Sequence, residues 1–256
     1  MKVIKPYIEI LTEINGPQLL KNIEKAGRVC YKSEDKITDD SAVNFVKNIL
    51  KRGHEAVIEH QSITVKIVCD RGVTHEIVRH RIASYCQEST RYCNYSNDKF
   101  DGELTFIEPC FWESKNLSYE DDEQYKEDIK EYYAYFERKD KTFNEEEYNK
   151  NYLLGEKLQK IEIDTEKYKN WLCAMESAEN LYLALIKSGA TPQEARSVLP
   201  NSLKTEIVIT MNLREWRHFL KLRTAKSAHP QMIEIANMVL KEFKEKLPVL
   251  FDDIGE

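Results

Sequence analysis

The chain has 256 residues, 41% hydrophobic and 32% charged, enough for one large domain with a real core. No run approaches the roughly 18 consecutive apolar residues of a membrane helix, and the first ten residues are too mixed for a signal peptide, so a cytoplasmic protein without membrane contact is expected. The net charge of −6 arises wholly in residues 113–170, which hold 17 acidic and 11 basic side chains. Residues 71–92 hold instead four Arg against two Glu, and residues 212–231 five Lys or Arg against one Glu. Such focused positive charge suits a small anionic ligand better than a nucleic acid, which needs a broader basic footprint.

In chain order, residues 62–70 alternate and are rich in β-branched side chains, which predicts a strand. Asp70 can cap a helix over residues 71–79, with Val73, Ile77 and Val78 on one face. Residues 82–97 are polar and irregular and are expected as a loop. Residues 113–163 are charged and rich in tyrosine, with Tyr132, Tyr133, Tyr135 and Phe136 clustered; they predict a solvated helical excursion without a catalytic role.

A long helix is expected over residues 165–187, stopped by Gly189. Thr191-Pro192-Gln193-Glu194 is a capping box that opens a short helix ending before Pro200. Residues 203–211 alternate as a second strand. Residues 213–222 form an amphipathic helix, with Leu213, Trp216 and Leu220 on one face and Arg214, Arg217, His218 and Lys221 on the other. A last helix is expected over residues 229–246. Strands and helices in irregular order point to an α+β fold, a single domain over residues 1–256 with a central, mostly antiparallel twisted sheet and flanking helices.

The stretch Arg79-His80-Arg81-Ile82-Ala83-Ser84-Tyr85-Cys86-Gln87-Glu88-Ser89-Thr90-Arg91-Tyr92 carries the most chemistry. Three cationic or near-cationic residues close a helix, and a hydroxyl-rich loop follows. Guanidinium forks bind phosphate oxygens bidentately, and Ser side chains and backbone N–H groups complete the shell. The alternative is that Arg79 and Arg81 pair with Glu76 and Glu88 on the surface.

With these residues in view, the chain resembles the flavin-dependent thymidylate synthases. R-H-R, then Ser84, then Ser89-x-Arg91-Tyr92 is similar to the family signature. Arg28-Val29-Cys30-Tyr31, Gly53-His54-Glu55 with Glu59-His60, Glu194-Ala195-Arg196 with Leu199-Pro200, and Asn212-Leu213-Arg214 through Arg217-His218-Phe219 to Leu222-Arg223, then His229-Pro230-Gln231, resemble further family segments in the same order.

The resemblance implies reductive methylation of dUMP to dTMP, with FAD reduced by NAD(P)H and methylenetetrahydrofolate as carbon donor. FAD would contact Ala56, Glu59, Arg79, His80, Arg81, Gln87, Asn212, Leu213, Arg214, His218 and His229. The dUMP would contact Glu76, Ile77, Val78, Arg79, Gln87, Glu88, Ser89, Thr90, Arg91, Arg196 and Arg223, with Arg223 against the uracil as the catalytic residue. His54 would line the folate and nicotinamide side of the flavin. The family assembles as homotetramers with active sites shared between subunits. Gln87, Cys86 and Thr90 stand where many members carry Glu, Asn and Gly.

These residue types fit that reaction. Methylation at C5 of uracil needs electron density there, supplied either by a thiolate adding at C6 or by stabilising an ionised ring. Cys110 follows Pro109, but Glu108 and Glu113 do not lower a thiol pKa, so Cys110 is expected as a buried small apolar residue. Arg223 stays protonated and favours negative charge on the ring. Reduced flavin supplies the hydride, which no side chain can. No G-x-G-x-x-G occurs, so FAD would be held by Arg and His from two segments.

No metal is expected. The six cysteines form no C-x-x-C pair, and His54 and His60, six apart, point to different sides of a helix. Two rivals remain at this level: a nucleotide-binding flavoprotein without turnover, and a nucleic-acid-binding module using the two basic stretches.

Overall fold

The two alternating segments form the centre of the molecule. The structure, a computed structural model, describes residues 1–112, 123–138 and 144–255. In chain order it contains β1 (Lys2–Ile4), β2 (Tyr7–Ile10), α1 (Gly16–Arg28), α2 (Ser41–Lys51), a 3-10 turn at Glu55–His60, β3 (Ser62–Asp70), α3 (Arg71–Ile77), β4 (Ala83–Gln87) and β5 (Thr105–Ile107). There follow α4 (Glu123–Glu137), α5 (Glu145–Lys187), α6 (Pro192–Ala195), β6 (Lys204–Asn212), α7 (Leu213–Arg223), α8 (Pro230–Lys246) and α9 (Pro248–Phe251).

The fold is α+β. Four strands in the order β2-β3-β6-β4 make an antiparallel sheet, and β1 and β5 pair in parallel as a separate ribbon. β3 and β6 pair over their whole length, from Ser62 opposite Asn212 to Asp70 opposite Lys204. Period-2 patterning sends Ile63, Val65, Ile67, Ile207, Ile209 and Met211 to the same buried face. Against it pack Leu19, Leu20 and Ile23 of α1, Val46 of α2, Trp216, Phe219 and Leu220 of α7, and Phe243 of α8. Trp216 is fully buried, and its indole N–H donates to the carbonyl of Ile63 at 3.0 Å, which ties α7 to β3. Truncating such a side chain typically costs about 3–5 kcal/mol.

Contacts divide the chain into two compact units, Met1–Glu108 with Leu181–Glu256, and Pro109–Asn180. In the second unit α4 lies along the first half of α5. Lys157 reaches Asp128 at 2.6 Å, the Tyr125 hydroxyl reaches Glu162 at 2.7 Å, and the Tyr132 ring covers Gly155, where a Cβ would come within 2.7 Å of it. Residues 113–122 and 139–143 of the expected helical excursion lie outside the described residues. No described helix is long and apolar enough to cross a membrane.

Several expectations need correction. Residues 82–97 are not all loop: residues 83–87 form β4, which pairs with β6 from Ala83 opposite Met211 to Gln87 opposite Ile207 and packs Ala83 and Tyr85 against the core. The helix after Asp70 ends at Ile77, so Val78 is exposed while Val73 and Ile77 are buried. The long helix begins at Glu145, twenty residues before Thr165. It stops where expected, at Gly189, whose φ of +94° ends the helical path. The chain does not finish with the helix opened by Pro230, since α9 follows Leu247. Arg217 does not join the exposed face of α7. It is buried and neutralised by Asp253 at 2.7 Å, with Glu55 at 3.5 Å and a further hydrogen bond to the Leu250 carbonyl. Cys110 is exposed, in the turn after β5.

Candidate active site

β3 hands the chain to α3 through a cap that is local in sequence. The Asp70 carboxylate accepts from the Val73 N–H at 2.8 Å and from Gln231 at 2.6 Å, which fixes the start of α3 and brings the start of α8 to it. Burial raises the pKa of Asp70. On the neighbouring strand β6 hands over to α7 in the same way: the Asn212 side chain accepts from the Glu215 N–H at 2.9 Å. These two strand–helix turns aim the ends of α3 and α7 at each other.

They meet at His80 and Arg223. The Arg223 guanidinium donates from Nε to His80 Nε2 at 3.0 Å, from Nη1 to the Glu76 carboxylate at 2.7 Å and from Nη2 to the Glu76 carbonyl at 3.1 Å. Two of its five N–H groups remain. His80 is 5% exposed, with Nδ1 3.2 Å from Glu215 Oε1. A guanidinium keeps its protons, so His80 Nε2 presents a lone pair and the proton sits on Nδ1, donated to Glu215. Burial lowers the pKa of His80; the Glu215 hydrogen bond works against that shift, and the charge of Arg223 adds to it. The imidazole is therefore neutral at neutral pH. Rings of Phe219, at 4.8 Å, and His218, at 5.7 Å, stand edgewise to it.

Beside this junction lies a cleft of about 470 Å³, walled by Glu59, Ile82, Asn212, Arg214, His218 and Lys221 among others. Arg214 crosses it to Glu59 at 2.6 Å, and the Leu213 N–H donates to the Gln61 carbonyl at 2.9 Å. Arg79 and Arg81 are exposed, and neither pairs with Glu76 or Glu88, which Arg223 and Lys204 take instead. Arg214, in the first turn of the 11-residue helix α7, brings guanidinium N–H groups to a helix N-terminus, donors of the kind that fit the phosphates of a dinucleotide such as FAD.

A second group forms beyond the other end of β4. The Arg196 guanidinium reaches the Thr90 hydroxyl at 3.5 Å, Arg91 donates to the Gln193 side chain at 3.1 Å, and the Ser89 hydroxyl accepts from the Arg91 N–H at 3.3 Å. Gln193 stands on α6, where the Glu194 carboxylate takes both the N–H and the hydroxyl of Thr191 at 2.8 Å each. Gln87 turns inward to the Thr74 and Thr205 hydroxyls at 3.0 and 3.3 Å. Glu88 is held by the Tyr95 hydroxyl at 2.7 Å and by Lys204 at 2.9 Å.

One chain thus brings together Glu76, His80, Arg223, Asn212, Arg214, His218 and Glu59, and separately Ser89, Thr90, Arg91 and Arg196. The five residues of β4, about 13 Å of strand, stand between the two groups. Ile77 belongs to the core, and Leu213 is buried beneath α7. His229 lies beside Asp70, whose ionisation its charge favours, not in the 470 Å³ cleft. His54 and Ala56 line a different, larger cleft.

Sequence patterns did not mark Glu215, the partner of His80, although Asn212-x-x-Glu215 has the spacing of a capping box and signals an N3 carboxylate at this turn. His80, Glu215 and His218 offer donor atoms within 4.8 Å of one another. Both nitrogens of His80 are already committed, and the Arg223 charge opposes a cation there.

Residues 10–249 match the family described as "Thymidylate synthase complementing protein". Flavin-dependent thymidylate synthases of Pyrococcus abyssi and Corynebacterium aurimucosum are 30% and 33% identical to the chain, covering 89% and 90% of it and 75% and 78% of their own lengths. A UMP/dUMP methylase, PolB from Streptomyces cacaoi, solved with 5-Br dUMP, is 22% identical and shares the fold, with a TM-score of 0.66 over 98% of this chain and 96% of that one. The chain belongs to the thymidylate synthase complementing protein family and is an enzyme of the flavin-dependent, methyltransferase type.

Proposed function

We propose that the chain methylates dUMP to dTMP, taking the carbon from methylenetetrahydrofolate and the reducing equivalents from NAD(P)H through bound FAD. The observation that carries this reading is the contact of the two arginine-rich segments at His80 and Arg223. Glu76 and His80 fix the guanidinium plane and leave two N–H groups for a pyrimidine oxygen. A positive charge held there in a fixed direction favours negative charge on the uracil ring, which is what C5 needs in order to react. Neutral His80 adds no second positive charge and keeps Arg223 from rotating away. Ser89, Arg91 and Arg196 provide hydroxyl and guanidinium donors for the nucleotide phosphate. Arg79, Arg81, Asn212, Arg214 and His218 surround the space for FAD, which when bound supplies the hydride that no side chain can.

The proposal includes a homotetramer with shared sites. The phosphate-binding and ring-binding groups stand about 13 Å apart along β4, and Arg79 and Arg81 have no acidic partner among the described residues. A second subunit facing this edge would complete the enclosure. Tritium release from C5-tritiated dUMP by the FAD-loaded protein, with methylenetetrahydrofolate and NADPH, tests the reading. Release that requires both co-substrates supports it, and a flavin-loaded protein that binds dUMP without release contradicts it.

A further inference from the structure

The Pro109–Asn180 unit carries a cleft that the groups described above do not use. It measures about 510 Å³, within the range of small-molecule sites, and follows the seam between α4 and the first half of α5. Tyr132, Tyr133 and Phe136 line it from α4, and Tyr148 and Tyr152 from α5. Helical spacing gathers these rings: residues 132 and 136, and residues 148 and 152, are each four apart on one helix face. Tyr132 reaches across the seam onto Gly155, which has no Cβ to hold the ring off. Phe136 and Tyr133 stand 5.0 and 5.6 Å from the Tyr132 ring. Four of the five rings nevertheless stay 43–59% exposed. Their π faces are negative, so a row of them open to solvent attracts cations.

The charges of the cleft have the same sign. Glu156 and Glu162 line it as well, and they take hydrogen bonds from the Tyr152 and Tyr125 hydroxyls. Neither has a cationic partner among the described residues. The lysines beside them are committed outside the cleft, Lys150 to Glu131 and Lys157 to Asp128, each at 2.6 Å. Glu156 and Glu162 are six residues apart, about 9 Å along the helix axis, too far for one metal ion or one ammonium group to meet both. The whole cleft runs from Tyr148 to Glu162, about 21 Å of helix.

We propose that this cleft binds a linear aliphatic polyamine, with its methylene groups laid along the tyrosine rings and its ammonium groups on Glu156 and Glu162. Aromatic faces and unpaired carboxylates alternate along a narrow channel, which matches a chain of alternating methylene runs and positive nitrogens. The assignment does not rest on the function proposed above, since it uses none of the residues placed there.

The test is calorimetric titration of the full-length, FAD-loaded protein with spermidine, with magnesium chloride and acetylated tetralysine as comparison ligands. Tyr133→Leu/Tyr152→Leu removes two exposed rings without changing charge or helix propensity, and Glu156→Gln/Glu162→Gln removes the charge without changing shape. Each double variant should weaken spermidine binding on the order of tenfold, while Tyr133→Phe/Tyr152→Phe keeps the ring faces and most of the affinity. Flavin content, circular dichroism and tritium release should match the wild type in all three. Wild-type affinity in the leucine variant would show diffuse attraction to an acidic surface and overturn the proposal. So would equal binding of magnesium, tighter binding of tetralysine, or a wild-type protein that does not bind spermidine at millimolar concentration.

Discussion

Arg223 donates to His80 Nε2 at 3.0 Å, and this contact determines the state of both groups: the arginine cannot give up its proton, so the histidine must accept. Protonating His80 would place two donors face to face. The pH behaviour of the site follows from this geometry.

Burial, with the charge of Arg223, holds the His80 pKa below the usual histidine value. The folded state therefore binds this proton less readily than the unfolded chain. The contribution to stability is complete above about pH 6.5, the unfolded value, and is lost as pH falls through the lowered folded value. Denaturant midpoints measured from pH 8 to pH 5 should fall on the acid side, and His80→Gln should flatten that part of the curve. An unchanged slope in the variant would remove His80 as its source.

Glu215 is a positioning residue. It accepts the His80 Nδ1 proton and so leaves Nε2 free for Arg223. Glu215→Gln keeps an acceptor and should keep most turnover. Glu215→Leu strands a buried donor, should destabilise the fold by about 1–3 kcal/mol and should lower kcat more than it raises the KM for dUMP. Urea unfolding with steady-state kinetics separates the two variants, and equal behaviour would contradict the assignment.

Arg217 is 2% exposed and depends on Asp253, whose own pKa its hydrogen bonds hold down. Asp253→Ala leaves a buried guanidinium with Glu55 at 3.5 Å and one carbonyl. Because Asp253 is half exposed, the expected loss is about 1–3 kcal/mol, below that of a fully buried pair. A change under about 0.5 kcal/mol in chemical denaturation would show that the pair is not needed to seat α7.

Much of the framework was legible in the sequence because it rests on local patterns. β3 and β6 alternate, Asp70 sits at an N-cap position, and Leu213, Trp216 and Leu220 recur at helical spacing. What was not legible depends on partners far along the chain. β4 is only five residues long and becomes a strand because β6, 120 or more residues away, offers an edge. Arg217 looks like a surface cation until Asp253 covers it, 36 residues later. The first twenty residues of α5 are rich in charge, and α4 lies alongside them, with Lys157 paired to Asp128.

The candidate site divides in the same way. The motif residues at positions 79–91 and 212–223 stood out in the sequence. That Arg223 would lie on His80 and Glu76, while Gln87 and Glu88 turned to Thr74, Thr205 and Lys204, depends on the pairing of β4 with β6.

The account as a whole rests on a guanidinium held in place by its neighbours and aimed at the pyrimidine. Tritium release from C5-tritiated dUMP by FAD-loaded Arg223→Ala tests it most directly. The variant should retain its flavin absorbance and lose about a hundred- to a thousand-fold in rate. Release within about tenfold of the parent enzyme, with flavin fully bound, would show that Arg223 is not the group that activates the ring.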